Sequence, residues 1–161
     1  MGRVAAGVRG ITLQGKDDAV LDLVVVRNEQ TALLSVTENG YGKRSWIGDY
    51  RITHRGGKGI KTLNPTAKTG KLVAVKDVLE QDELMIITTG GIIIRLPVKG
   101  IRVIGRATQG VKLINLDAGH KVAAVARVVP EDDGSAPAVG AAAAAQAVAQ
   151  QLEIAEEQEA E

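Results

Sequence analysis

Arg51-Ile52-Thr53-His54-Arg55-Gly56-Gly57-Lys58-Gly59-Ile60 sets three glycines and two cations within five residues, with β-branched residues on both sides. Glycine admits positive φ and lets another backbone come close. Arg55 and Lys58 can each reach a phosphate from a loop whose amides are uncovered. Taken alone, the stretch also reads as a hairpin turn with two solvated cations. The rest of the chain decides, because the pattern recurs. Gly7-Val8-Arg9-Gly10-Ile11 and Gly110-Val111-Lys112-Leu113-Ile114 align with Gly56-Gly57-Lys58-Gly59-Ile60 on Gly-x-cation-x-Ile. In that alignment Arg9, Lys58 and Lys112 hold equivalent places.

Working outward, each copy is followed by a short apolar strand: Leu21–Val26, Leu72–Val75 and Val122–Val125. Two copies are then followed by a hairpin. The first runs from Ala32–Val36 through Glu38-Asn39-Gly40 to Tyr41–Ile47, the second from Leu84–Thr88 through Gly90-Gly91 to Ile92–Leu96. Asn-Gly and Gly-Gly signal a two-residue hairpin loop, which needs positive φ. Gly40 and Gly91 lie 51 residues apart, as do Tyr50-Arg51 and Ile101-Arg102. A period of about 50 residues with four short strands per unit predicts propeller-like blades. A blade cannot bury its own faces, so blades stack. The expected architecture is all-β: about two and a half four-stranded blades of a partial β-pinwheel over residues 1–129. Closed propellers have about four to eight blades, so the chain reads as a piece of a longer one.

The net charge of +1 conceals a division. Residues 131–161 carry eight acids and no Lys or Arg, which leaves a net +9 on residues 1–130. A basic body with an acidic appendage is the asymmetry of a polyanion binder. Residues 130–161 read as an acidic, Ala/Glu-rich tail, disordered or partly helical, because an isolated helix of that length is marginal in water. Trp46, Tyr41 and Tyr50 are the only aromatic residues, so there is no platform on which single-stranded bases could stack, and duplex backbone is the better polyanion.

Other chemistries find little support. Gly10–Asp17 nearly matches a P-loop but puts Asp17 where the magnesium-binding hydroxyl belongs. Gly40-Tyr41-Gly42 lacks the third glycine of a dinucleotide fingerprint. His54 and His120 stand far apart as expected surface residues, and the chain has no cysteine, so neither a disulfide framework nor a cysteine metal site can form. No Ser/His/Asp set or carboxylate pair offers acid–base catalysis. No run of 18 apolar residues is present to cross a membrane, and the absence of cysteine and of a signal peptide's apolar core fits a cytoplasmic protein.

Arg55-Gly56-Gly57-Lys58-Gly59, the hairpin Glu38-Asn39-Gly40-Tyr41-Gly42-Lys43-Arg44, and Val103-Ile104-Gly105-Arg106-Ala107-Thr108-Gln109-Gly110-Val111 together resemble the C-terminal domain of DNA gyrase A subunits. The resemblance spans residues 1–129 and implies a β-pinwheel of about six blades that wraps duplex DNA. It further implies an A2B2 holoenzyme with gyrase B, an ATP- and Mg-using type II topoisomerase whose catalytic tyrosine and ATPase lie outside this chain. No cofactor is expected in this segment. The wrapping motif of the family reads Gln-basic-Arg-Gly-Gly-basic-Gly in the first blade. Here Thr53 and His54 replace its first two residues and another repeat precedes it, so Arg55–Gly59 reads as a later-blade relative of that box. The expected DNA-binding residues are Arg9, Arg51, Arg55, Gly56, Gly57, Lys58, Gly59, Lys61, Arg102, Arg106 and Lys112. The competing readings are the matching domain of topoisomerase IV and a protein-interaction propeller that never touches nucleic acid.

Overall fold

Two threonines open the two tight turns that organise the chain in its computed structural model, which describes residues 6–26 and 28–130. Strands β1 (Ala32–Thr37) and β2 (Tyr41–Trp46) form the first hairpin; β4 (Glu83–Thr88) and β5 (Ile93–Pro97) form the second. The Gly40 amide donates to Thr37 O at 3.1 Å and the Gly91 amide to Thr88 O at 3.0 Å. Val36 faces Gly42 and Ile87 faces Ile93, so each loop holds three residues and not the expected two. Positive φ falls on the last loop residue alone, Gly40 and Gly91, both at +78°. A two-residue type I′ turn would need it at both central positions, whereas a three-residue loop needs one left-handed residue.

The remaining strands come from other repeats. β3 (Leu72–Val78) pairs antiparallel with β1, and the short β6 (Val111–Lys112) pairs with β2. β7 (Val122–Val128) pairs with β4 in the manner of β3 with β1. The sheets therefore run β3-β1-β2-β6 and β5-β4-β7, each assembled from more than one repeat. One sheet has the expected four strands and the other has three.

Leu21–Val26, expected as a strand, belongs to no sheet. Its counterparts β3 and β7 each pair with the hairpin of the repeat before them. Among the described residues no hairpin stands ahead of residues 21–26. Asp22 ties the segment to β3, accepting from Lys76 Nζ at 2.9 Å and from the Val75 amide at 3.4 Å, and Leu23 stays 85% exposed.

The sheets share one apolar core. Leu34, Val36 and Val78 come from the first sheet, Leu84, Ile86, Val122 and Val125 from the second, and Val98, Ile101 and Ile114 from the segments between. Full burial of one such side chain stabilises by about 1.5–3 kcal/mol. β4 alternates as a one-sided strand should, with Leu84, Ile86 and Thr88 buried. β2 does not alternate: Gly42, Lys43, Arg44 and Ser45 are all buried, because residues 101–112 lie along its outer edge. Among the described residues no helix is long and apolar enough to cross a membrane, and the helical content is two short 3-10 turns, Ile47–Asp49 and Val98–Gly100. The expected acidic tail lies outside the described residues.

Candidate nucleic-acid interface

Gly56 and Gly59 take φ of +77° and +75°, which folds residues 54–59 into a tight loop. That loop rests on the repeat before it. The Gly56 amide donates to Gly10 O at 2.8 Å, the Thr12 amide to Gly57 O at 2.8 Å, and Thr12 Oγ1 to Gly56 O at 2.5 Å. A Cβ on Gly56 would lie 3.7 Å from Arg9 O, so the backbones run close together. Arg55 and Lys58 are exposed beside exposed Arg9, and none of the three meets a carboxylate among the described residues. The elements that carry cations in two neighbouring repeats are thus fused into one patch.

The arrangement recurs one repeat later. The Asn64 amide donates to Thr108 O at 3.0 Å, as Thr12 does to Gly57. The Arg106 guanidinium donates to Lys61 O at 3.1 Å and lies 5.6 Å from the Tyr50 ring centroid, within cation–π range. Tyr50 is fixed by a short hydrogen bond between its hydroxyl and Thr62 Oγ1. Lys61 is exposed and Arg106 half-buried. Arg51 and Arg102 each follow one of the 3-10 turns and are exposed, 51 residues apart. Lys112, on β6 opposite Tyr41, is exposed as well.

These contacts correct the alignment of the repeats. Gly7, Gly59 and Gly110 share positive φ of +83°, +75° and +82°, and the hydrogen bonds of Thr12 and Asn64 keep the same spacing. The equivalent cations are therefore Arg9, Lys61 and Lys112. Lys58 corresponds to Gln109, and Arg55 to Arg106. Gly-x-cation-x-Ile matched Lys58 to the wrong partners because Gly56 and Gly59 are both left-handed and only the hydrogen-bond spacing tells them apart.

A further residue is needed to hold the second loop. Lys43 is fully buried, and its Nζ donates to Gly105 O at 2.7 Å, to Thr108 Oγ1 at 3.2 Å and, closely, to Arg106 O. Burial, reinforced by the nearby Arg106 charge, pushes its ammonium below the usual lysine range. Arg44 is buried beside it, with Nε donating to Ile101 O at 2.7 Å. Sequence reasoning passes over Lys43, because a lysine on a polar strand ordinarily reads as solvent-facing. The local signal is Gly42, whose missing side chain leaves room for the Leu113 side chain, which follows the turn that Lys43 holds. Of the two histidines, His54 is exposed as expected and His120 is half-buried against Gly90.

The family profile described as "DNA gyrase C-terminal domain, beta-propeller" matches residues 1–27, 32–78 and 82–128, three segments that follow the repeats described above. The DNA gyrase A protein of Staphylococcus epidermidis is 48% identical over 134 residues, covering 83% of this chain and 15% of that protein. Its Staphylococcus aureus counterpart is 47% identical over 133 residues, again 83% and 15%. This chain therefore spans about 15% of the length of those relatives. A solved gyrase A C-terminal domain superposes with a TM-score of 0.70 at 26% identity, over 76% of this chain and 41% of that one. The C-terminal domain of a DNA topoisomerase IV has the same fold, with a TM-score of 0.71 at 19% identity over 77% and 38%.

Proposed function

Since the chain belongs to the family of DNA gyrase A C-terminal domains, we propose that it is a non-catalytic segment that holds and wraps duplex DNA by its phosphates. The observation that carries this reading is the fused cation patch. Arg55 and Lys58 sit beside Arg9, and Arg106 sits beside Lys61, one repeat further on. Cations at regular intervals along a curved array suit a bent duplex gripped without base readout. Arg9, Arg51, Arg55, Lys58, Lys61, Arg102, Arg106 and Lys112 supply the charge in this reading. Gly56, Gly57 and Gly59 keep the backbone low enough for a phosphate to approach.

By the same reading the chain works within a cytoplasmic DNA gyrase, as part of a gyrase A polypeptide that joins gyrase B in an A2B2 holoenzyme. Double-strand passage, negative supercoiling and the use of ATP and Mg reside in the rest of that assembly.

The test is duplex binding by the full chain across a salt series. If about five phosphates are neutralised, log K falls against log salt with a slope of roughly −4 to −5. Arg55→Ala with Lys58→Ala weakens binding and flattens the slope by roughly two. Lys16→Ala with Arg95→Ala removes the same charge elsewhere and serves as control, Arg95 being paired with Glu83. A slope near zero, or equal losses from both pairs, would sink the reading.

A further inference from the structure

Beneath the first hairpin turn lies a cavity of about 260 Å³ lined by Asn39, Tyr41, Lys68, Lys112, Leu116 and His120. Small-molecule pockets usually run from about 300 to 1,000 Å³, so this one suits a single small group. Three basic side chains line it: Lys68, Lys112 and His120. Among the described residues neither lysine meets a carboxylate, and His120 packs its Nδ1 edge against Gly90, where that nitrogen is buried without a hydrogen-bond partner. We propose that this pocket is a phosphate-ester site, with Lys68 and Lys112 as its charged donors and the His120 ring as its third wall.

The pocket is built in advance of any ligand. Asn39 Nδ2 donates to Lys68 O at 3.1 Å and Ala67 O at 3.4 Å, which ties the Lys68 loop to the hairpin turn. Lys68 Nζ stands 5.5 Å from the centroid of the Tyr41 ring, held there by cation–π attraction. Lys112 is set opposite Tyr41 by strand register. His120 fits because Gly90 has no side chain: a Cβ there would collide with the imidazole. Tyr41 and Leu116 add apolar surface beside the two exposed lysines. Of the carboxylates near the turn, Glu38 is already taken by Lys121 Nζ at 2.9 Å and the Lys71 amide at 3.0 Å, and Asp117, beside Leu116, is exposed to solvent.

The site is not periodic. One repeat on, Tyr41 and Asn39 become Ile92 and Gly90, so no second copy accompanies the second hairpin. It adds a fixed anchor to the regular row of cations through Lys112, which belongs to both. This extension rests on the duplex reading only for the source of the phosphate, which can be DNA backbone or a free phosphate ester.

The experiment follows the ring signals of His120 in the full chain by NMR, with His54 as internal control. Inorganic phosphate should shift His120 saturably and leave His54 in place. Lys68→Ala and Lys112→Ala should each weaken that binding about tenfold, the loss of one charge-assisted hydrogen bond, while Lys16→Ala should not. Added short duplex should move the same signals and compete with phosphate if the backbone is the source. If it binds without competing, the pocket serves a free phosphate ester. If phosphate leaves His120 unmoved, or the two lysine variants bind it as the parent does, the proposal is overturned, whether or not the chain binds duplex.

Discussion

Lys43 places an ammonium where a strand interior ordinarily holds an alkyl chain. It is tolerated because three oxygens of the Gly105–Thr108 turn accept from it. Leaving a buried acceptor unpaired costs about 1–3 kcal/mol, so Lys43→Met should lower stability by about 2–4 kcal/mol. The denaturant midpoint of the full chain checks this; an unchanged midpoint would mean that the turn holds itself. The lysine also carries a pH signature. Its folded-state pKa is lowered, chiefly by burial, so the unfolded chain binds more protons at alkaline pH. Its contribution to stability therefore rises as pH climbs from the folded value towards the ordinary lysine value of about 10.4, and Lys43→Met should abolish that rise. Glu38 has the same sign in an acidic window. Lys121 and the Lys71 amide hold its carboxyl below the usual range. Its stabilisation is full above the unfolded carboxylate pKa and is lost as pH falls through the lowered folded value. Glu38→Gln should flatten the acid limb of a stability–pH profile, and a limb of unchanged steepness would show that other carboxylates set it.

At the scale of elements, the hairpins were legible because turn chemistry is local: Gly40 and Gly91 announce positive φ, and the apolar runs on either side announce strands. Loop length was misread because the Asn-Gly and Gly-Gly pairs satisfy a two-residue rule as readily as a three-residue one. Strand pairing between repeats was not legible, since β3 on β1 and β7 on β4 are long-range choices that no window of sequence contains. The cation register failed for a related reason. What distinguishes Gly59 from Gly56 as the partner of Gly7 and Gly110 is its place in the hydrogen-bonding, which sequence identity does not carry. The glycines themselves offer a test. Gly91 has φ of +78° with nothing near its missing Cβ, whereas a Cβ on Gly110, at φ +82°, would stand 2.8 Å from Gly42 O. A left-handed non-glycine residue costs roughly 1–2 kcal/mol, and a backbone clash adds to that. Thermal unfolding should therefore show Gly110→Ala clearly more destabilising than Gly91→Ala. Equal losses would mean that β6 moves away from β2 at little cost.

At the scale of the whole molecule, exchange of strands between repeats leaves two unfinished surfaces. One is the extended segment Val20–Val26, where Val20, Leu21, Leu23, Val25 and Val26 are exposed. The other is the outer edge of β5, where Ile93 is 60% exposed. Two different unfinished surfaces could join head to tail into an open filament, whereas one surface meeting its own copy closes as a dimer. The residues favour closure. On β2 the edge is covered because Gly42 admits Leu113, which would lie 2.5 Å from a Cβ there, and because Lys43 grips the turn that follows. The matching positions on β5 are Ile93 and Ile94, which leave no room for the close approach and offer no ammonium to hold a turn. A second copy cannot therefore use residues 7–12 to cover β5 as residues 110–114 cover β2. That leaves the apolar Val20–Val26 face, which can bury itself against the same face of another chain. Sedimentation velocity should show a monomer–dimer equilibrium that shifts with concentration. Leu23→Glu with Val25→Glu should return the chain to monomer without loss of its sheets by circular dichroism, whereas Ile93→Lys should leave the dimer intact. Species that lengthen with concentration, or a dimer that survives the double substitution, would place the association on β5 instead.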